Sequence, residues 1–331
     1  MTQSIGLLSD VMLGRGVAQR LAAGTPDEVW APELIEIASS LELLVCNLEC
    51  AVSDRGRPTE LVKSSRHPFF FRAPPHAVVS LQTIGVDAVG IANNHALDFG
   101  SDALSDTIRH LQDAGICAAG AGEGLERARG GIVVTGPNMR VGLVAVSDHP
   151  PEFAAGPGRM GISFAALQKG VPAWLIDEIR RLRQTCDLVL AFPHWGPNMT
   201  IRPAPWQRRV AAEMLRAGAD LVAGHSAHVF HGIEQTEHGL VAYDLGGALD
   251  DYAIDPVLRN DLGLLAIWHV GVEEASLELV GLALDYCYTR LATGAEADWI
   301  ASRLENACAE LGTSVERVGE QRFRVVGGRG N

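Results

Sequence analysis

The chain has 331 residues, 47% of them hydrophobic, enough to bury a large core in one or two domains. A formal charge of -13 argues against a nucleic-acid backbone as partner. Six scattered cysteines without a CxxC pair exclude a disulfide framework, a zinc ribbon and a thioredoxin-type motif. Cys46 and Cys50 read as small buried apolar residues.

Residues 5–8 form the first apolar run and lead to Asp10. A helical pattern follows Gly14 and Gly16 over residues 17–23, and Pro32 opens a second helix feeding the run 43–45, which leads to Asn47 and Glu49. Residues 53–67, rich in Arg, Pro and Ser, read as an exposed loop. Pro74-Pro75 starts a helix to Ile84, the strand 87–91 leads to Asn93, Asn94 and His95, and a helix spans 102–114. Strand then helix, repeated, is the rhythm of an α/β sheet. Residues 120–124 look like part of a dinucleotide loop, but the third glycine is misplaced for GxGxxG, so a surface turn is expected.

Near Ile132 the rhythm changes. Strands 132–134 and 141–146 are joined by the hairpin signal Gly136-Pro137-Asn138. Helices 172–184 and 205–217 precede the runs 188–192, leading to His194, and 221–223, leading to His225 and His228. Strands 240–243, 262–270 and 277–284, a helix 299–311 and a frayed Gly/Arg-rich tail complete the chain. The order fits helical layers around two sheets. The expected division is a main unit 1–290 with a C-terminal helix and tail, 291–331, packed on it. No signal segment or run long enough to span a membrane is visible, so a soluble cytoplasmic protein without membrane partners is expected; a homo-oligomer is left open.

Five apolar runs thus end in metal-ligand residues, and sites in α/β sheets form beyond the carboxyl ends of strands. Mixed oxygen and imidazole donors suit a divalent transition metal. Gly224-His225-Ser226-Ala227-His228 is the strongest local signal, with the glycine allowing a sharp bend; His231 reads as supporting or solvated. Alone, Asp10 reads as a helix cap and Asn93 to Asp98 as a capped helix start; their common edge favours a site. Asp98 can accept a hydrogen bond from His95 and fix its tautomer.

DVMLGR (10–15), NLE (47–49), ANNHALDFG (92–100), HWG (194–196), GHSAHV (224–229) and YDLGG (243–247) together resemble the CapA family of poly-γ-glutamate capsule synthesis, whose fold resembles the calcineurin-like metallophosphoesterases. The resemblance implies an α/β fold, a calcineurin-like four-layer α/β/β/α sandwich. It also implies one or two divalent ions (Mn, Zn or Fe): Asp10 and His228 on one, Asn94, His194 and His225 on the other, and Glu49 in the place of the bridging acid. His95 matches the general acid, oriented by Asp98. Arg15, Asn47 and Asn93 face the substrate, a small anion. The implied reaction is hydrolysis of a phosphoester by metal-activated hydroxide. The same site would also suit cleavage or formation of a glutamyl-type amide, or a non-catalytic metal-stabilised role in polymer synthesis or export. Met12 stands where the superfamily has a ligating histidine, which weakens the first metal. Ser9, Asn198 and Gly247 are further departures.

Overall fold

The computed structural model describes residues 3–59, 69–271 and 275–326. Five strands carry the site: β1 (Gln3–Val11), β2 (Leu43–Leu48), β3 (Ala88–Gly90), β4 (Leu188–His194) and β5 (Leu221–Ala223). In the larger sheet β1, β2, β3 and Cys117–Ala119 run parallel, and Leu262–Val270, Ala275–Asp285, Arg322–Val326 and Ser314–Arg317 extend it antiparallel from β1. The second sheet orders Ile233–Thr236, Gly239–Ala242, β5, β4, Arg140–Ser147 and Ile132–Thr135.

The side-chain alternation of β4 shows how the layers stack. Leu188, Leu190 and Phe192 enter the core shared with β1, β2 and β3, whereas Val189 and Ala191 enter a second core. That second core is filled by Leu175, Ile179 and Leu182 of helix Ala173–Thr185 and by Val210, Met214 and Leu215 of helix Pro205–Ala217, each apolar at helical spacing. Helices Pro32–Ser39, Val78–Ile84 and Gly100–Asp113 bury Leu34, Leu81, Leu104 and Leu111 against the larger sheet. The result is the expected α/β/β/α sandwich. The sheets touch so closely at Gly90 that a Cβ there would lie 2.8 Å from Phe192 Cδ1.

Several expectations change. Gly120 and Gly122 are buried: the segment is a strand crossing, Ala121–Glu123 pairing with Met160–Ile162, and not a surface turn. Gly120 has φ +94°, and a Cβ there would meet Ala92 Cβ at 2.7 Å, so backbone and packing both demand glycine. Ser53 is also buried; its hydroxyl donates to Asp106, which Arg55 grips with two hydrogen bonds of 2.7 and 2.6 Å. Residues 60–67 of the expected loop and 327–331 of the tail lie outside the described residues. The expected boundary at 290/291 falls inside strand Tyr288–Leu291. Beyond helix Ala295–Ala309, two further strands complete the larger sheet, so the C-terminal part is an integral edge and not an appendage.

Candidate metal centre

Strand register gathers the site. Asp10 on β1 pairs with Asn47 on β2, which pairs with Gly90 on β3, and the chain then turns through Asn93, Asn94 and His95. On the second sheet β4 and β5 run parallel, and His194 at the end of β4 forms a bridge with His225, two residues past β5. Both sheets therefore deliver their ligand residues to one edge.

Among the described residues, Asp10, His194 and His225 form one group of donor atoms within 4.8 Å of one another, and Asp10, Glu49 and His228 form a second. Asp10 Oδ1 lies 3.8 Å from His194 Nδ1 and 3.6 Å from His225 Nδ1, while Oδ2 lies 3.2 Å from His228 Nδ1. Glu49 Oε1 is 3.8 Å from His194 Nε2 and 3.9 Å from His228 Nε2. The sequence expectation placed Asp10 with His228 alone; the geometry puts it at the apex of both groups. Glu49 lies between the histidines, where a bridging acid is expected.

The donors fit divalent metal. Glu49 Oε1, Asn94 Oδ1, His194 Nε2, His225 Nε2 and His228 Nδ1 are buried without hydrogen-bond partners. Orphaned polar atoms on the residues of the two groups are costly in a folded protein, and a bound cation would relieve those that ligate it.

Electrostatics point the same way. Burial, followed by the neighbouring His225, pushes His194 well below the usual imidazole range, and burial takes His225 down to about 4. Both are neutral and ready to ligate. Burial also acts against charging His228, but Glu49 and Asp10 overcome it and raise it to about 10. Glu49 itself is pushed up by burial and then by Asp10. Glu49 and His228 therefore retain protons that a cation would displace, whereas Asp10 stays ionised, because its burial is overcome by the hydrogen bond and charge of His228.

Backbone strain aims these side chains. Ser226 has φ +115° and His228 φ +57°, conformations that non-glycine residues adopt at a cost of order 1–3 kcal/mol. Gly224 is needed for a different reason from the expected bend. A Cβ there would lie 2.3 Å from Trp195 Nε1, whose N–H donates to Tyr243 O at 3.0 Å directly alongside.

The remaining expected residues divide. His95 sits beside both groups, with Nδ1 2.7 Å from Asp98 Oδ2 and Nε2 4.0 Å from Glu49 Oε1. Arg15, also at positive φ (+53°), lies at the rim, 3.2 Å from Asp251 and against the rings of Phe69, Phe71 and Tyr252. Asn47 and Asn93 do not face substrate. Both are fully buried: Asn93 Nδ2 donates to Asn47 Oδ1 and Leu48 O, and Asn47 Nδ2 donates to Asp10 Oδ1 at 2.7 Å. They are struts beneath the metal ligands. Met12 is no ligand either, since its thioether accepts the Gly14 N–H at 3.0 Å. His231 is buried, not solvated; its Nε2 lies 3.0 Å from Thr200 O, and burial lowers it to about 4.

Sequence reasoning missed four contributors. Tyr252 donates to Glu49 Oε2 at 3.4 Å. Asp244, held by the Ala227 and Gly246 N–H groups and raised by burial to about 8, braces the His225–His228 loop. Asp148 and His149 follow strand Arg140–Ser147, the neighbour of β4; His149 bonds Asp148, and its ring lies 5.2 Å from His194. The rule that found the five runs would have found this sixth, had it been followed two residues past the strand.

The Mycobacterium tuberculosis "Probable polyglutamine synthesis accessory protein Rv0574c" is 28% identical over 96% of this chain and 94% of its own length. The Bacillus anthracis "Capsule biosynthesis protein CapA" is 26% identical over 64% of this chain and 54% of its own length. A solved structure of a hypothetical protein from Thermus thermophilus is similar with a TM-score of 0.43 at 14% identity, covering 87% of this chain and 96% of that one. The family described as Bacterial capsule synthesis protein PGA_cap matches residues 4–252, a span that contains every candidate ligand, and the chain belongs to that family.

Proposed function

We propose that the protein is a metal-dependent hydrolase that cleaves a phosphoester of a small anionic substrate. The observation that carries this reading is the His95–Asp98 pair: an imidazole fixed through Nδ1 beside two metal-ligand groups, yet belonging to neither. A purely structural metal site has no use for such a group. Asp10, Glu49, Asn94, His194, His225 and His228 would hold one or two divalent transition ions. When bound, these supply positive charge at the reacting group and acidify a water. The chain's own residues do the rest. Asp98 holds the Nδ1 proton, so that Nε2 faces the cluster and hands its proton to the leaving oxygen. Arg15 at the rim attracts the anion. Cleavage of a glutamyl-type amide at the same site is the second reading, favoured by the capsule and polyglutamine names that the relatives carry.

A panel of aryl phosphates of graded leaving-group pKa, with a γ-glutamyl anilide beside it, tests both. General acids contribute about 10²–10⁴-fold. His95→Asn should keep its metal, lose that factor on poor leaving groups and spare activated esters. Equal losses across the panel, or loss of metal, would show that His95 is a ligand or scaffold. Turnover of the anilide alone would replace the phosphoester by the amide.

A further inference from the structure

The His95–Asp98 pair is held by a chain segment distant from it in sequence. Phe71, adjoining the short strand Arg72–Ala73, meets both members of the pair. Its backbone N–H donates to Asp98 Oδ2 at 2.7 Å, the same oxygen that takes His95 Nδ1. Its ring stacks on the His95 imidazole, with centroids 3.9 Å apart and planes inclined by 26°. Phe71 is itself backed by Tyr252 at 5.7 Å, Phe69 at 6.5 Å and the Arg15 guanidinium at 5.5 Å from its centroid. It is buried, and the strand after it pairs with Ala51–Val52, only two residues beyond Glu49.

We propose that Phe71 is a positioning residue for His95: its backbone fixes the carboxylate that orients the imidazole, and its ring fixes the plane. A hydrogen bond to Nδ1 tolerates a range of ring tilts about Cβ–Cγ, and a stacked ring at contact distance narrows that range. Loss of the ring would widen the directions that Nε2 takes toward Glu49. Constraint of this kind is worth much where a reacting atom must be placed within a fraction of an ångström. The role rests on the reading of His95 as proton donor, but the orientation itself is a property of the protein that can be observed without substrate.

Two variants separate ring from packing. Phe71→Ala removes both, and Phe71→Leu keeps buried apolar volume but removes the planar face. The direct readout is the His95 Nδ1 proton in zinc-loaded, ¹⁵N-histidine-labelled protein, assigned by its loss in His95→Asn. It should be a slowly exchanging resonance in the parent and exchange at least about tenfold faster in Phe71→Leu, with metal content unchanged. Unaltered exchange in both variants, or loss of metal from Phe71→Leu, would overturn the proposal, whatever the protein hydrolyses. If the phosphoester reading holds, Phe71→Leu should lower kcat on poor leaving groups by about tenfold or more, within the factor a general acid supplies, and leave KM unmoved. In a His95→Asn background the same change should cost nothing further, because the two residues act through one imidazole. An equal additional loss there would mean that Phe71 acts on something else and would also overturn the proposal.

Discussion

The two ligand groups that meet at Asp10 are built from different materials. Asp10, His194 and His225 combine one carboxylate with two imidazoles that burial keeps neutral, and these histidines come from adjacent parallel strands whose register fixes their spacing. Asp10, Glu49 and His228 combine two carboxylates from the larger sheet with one imidazole from a strained loop residue. The first group holds two neutral imidazoles, whose Nδ1 atoms share a hydrogen bond of 2.8 Å, and has no imidazolium proton to release when it takes a metal. The second retains protons until a cation displaces them. If both halves take metal, a shared apex between unlike halves predicts two ions of unequal affinity, or a first ion that prepares the place of the second.

The largest effect should follow from the apex itself. Asp10→Asn removes a ligand from both groups, so metal analysis should find neither ion retained. Losing the charge that metals place on a reacting group costs several kcal/mol, so turnover should fall roughly 10³-fold or more. Retention of one ion would confine Asp10 to a single group and undo the comparison. A next step is to break the halves separately. Glu49→Gln should empty the carboxylate-rich group and spare the imidazole-rich one, while His225→Ala should do the reverse, each losing about half of the bound metal by elemental analysis. If either variant loses everything, the halves are one cooperative unit.

A pH series sharpens the contrast with a smaller effect. In metal-free protein His228 sits near 10, above the imidazole's ordinary 6.5. It therefore contributes stability that is fully present below about 6.5 and is lost as pH rises toward 10. Glu49, also raised, acts with the same sign. His225, lowered to about 4, acts oppositely: its contribution is present above 6.5 and lost as pH falls through 4. A cation displaces the proton of the second group, so the gain in Tm on adding a fixed free concentration of Mn²⁺ should grow from pH 6.5 to 8.5. Glu49→Gln should flatten that growth. A gain independent of pH in the parent would show that the second group holds no proton.

How much of this was legible depended on where the information lies. Register is local: a run of buried residues followed by a ligand-type residue positions that residue at a strand end, so Asp10, Glu49, His194, His225 and His228 could be read directly. Which ligands share an ion is not local, because it depends on how two sheets approach, and Asp10 was accordingly assigned to one group only. Asn47 and Asn93 mislead for the same reason. Their type suggests contact with substrate, yet packing between strands turns them into buried struts. The wall of Phe71, Tyr252 and Arg15 joins segments far apart in the chain and has no periodic signature at all. Sequence reveals what each strand carries, and the contact between the layers decides what those residues do.

Met12 offers the smallest and most discriminating test, because it follows Asp10, the apex of both groups, by two residues. If the unlike halves are the design, the thioether has no part in either. It is fully buried and accepts the Gly14 N–H where the chain turns into helix Arg15–Ala23. Met12→Leu conserves volume and removes only that weak acceptor, a change that costs less than about 1.5 kcal/mol. In a chain of this size that is a fall in Tm of no more than about 4 °C. Metal content and the ratio of the two affinities should be untouched, because neither group contains sulfur. A selective loss of the weaker ion in Met12→Leu would bring the sulfur into the coordination sphere. The difference between the halves would then rest on a soft ligand, and not on how many carboxylates each contains.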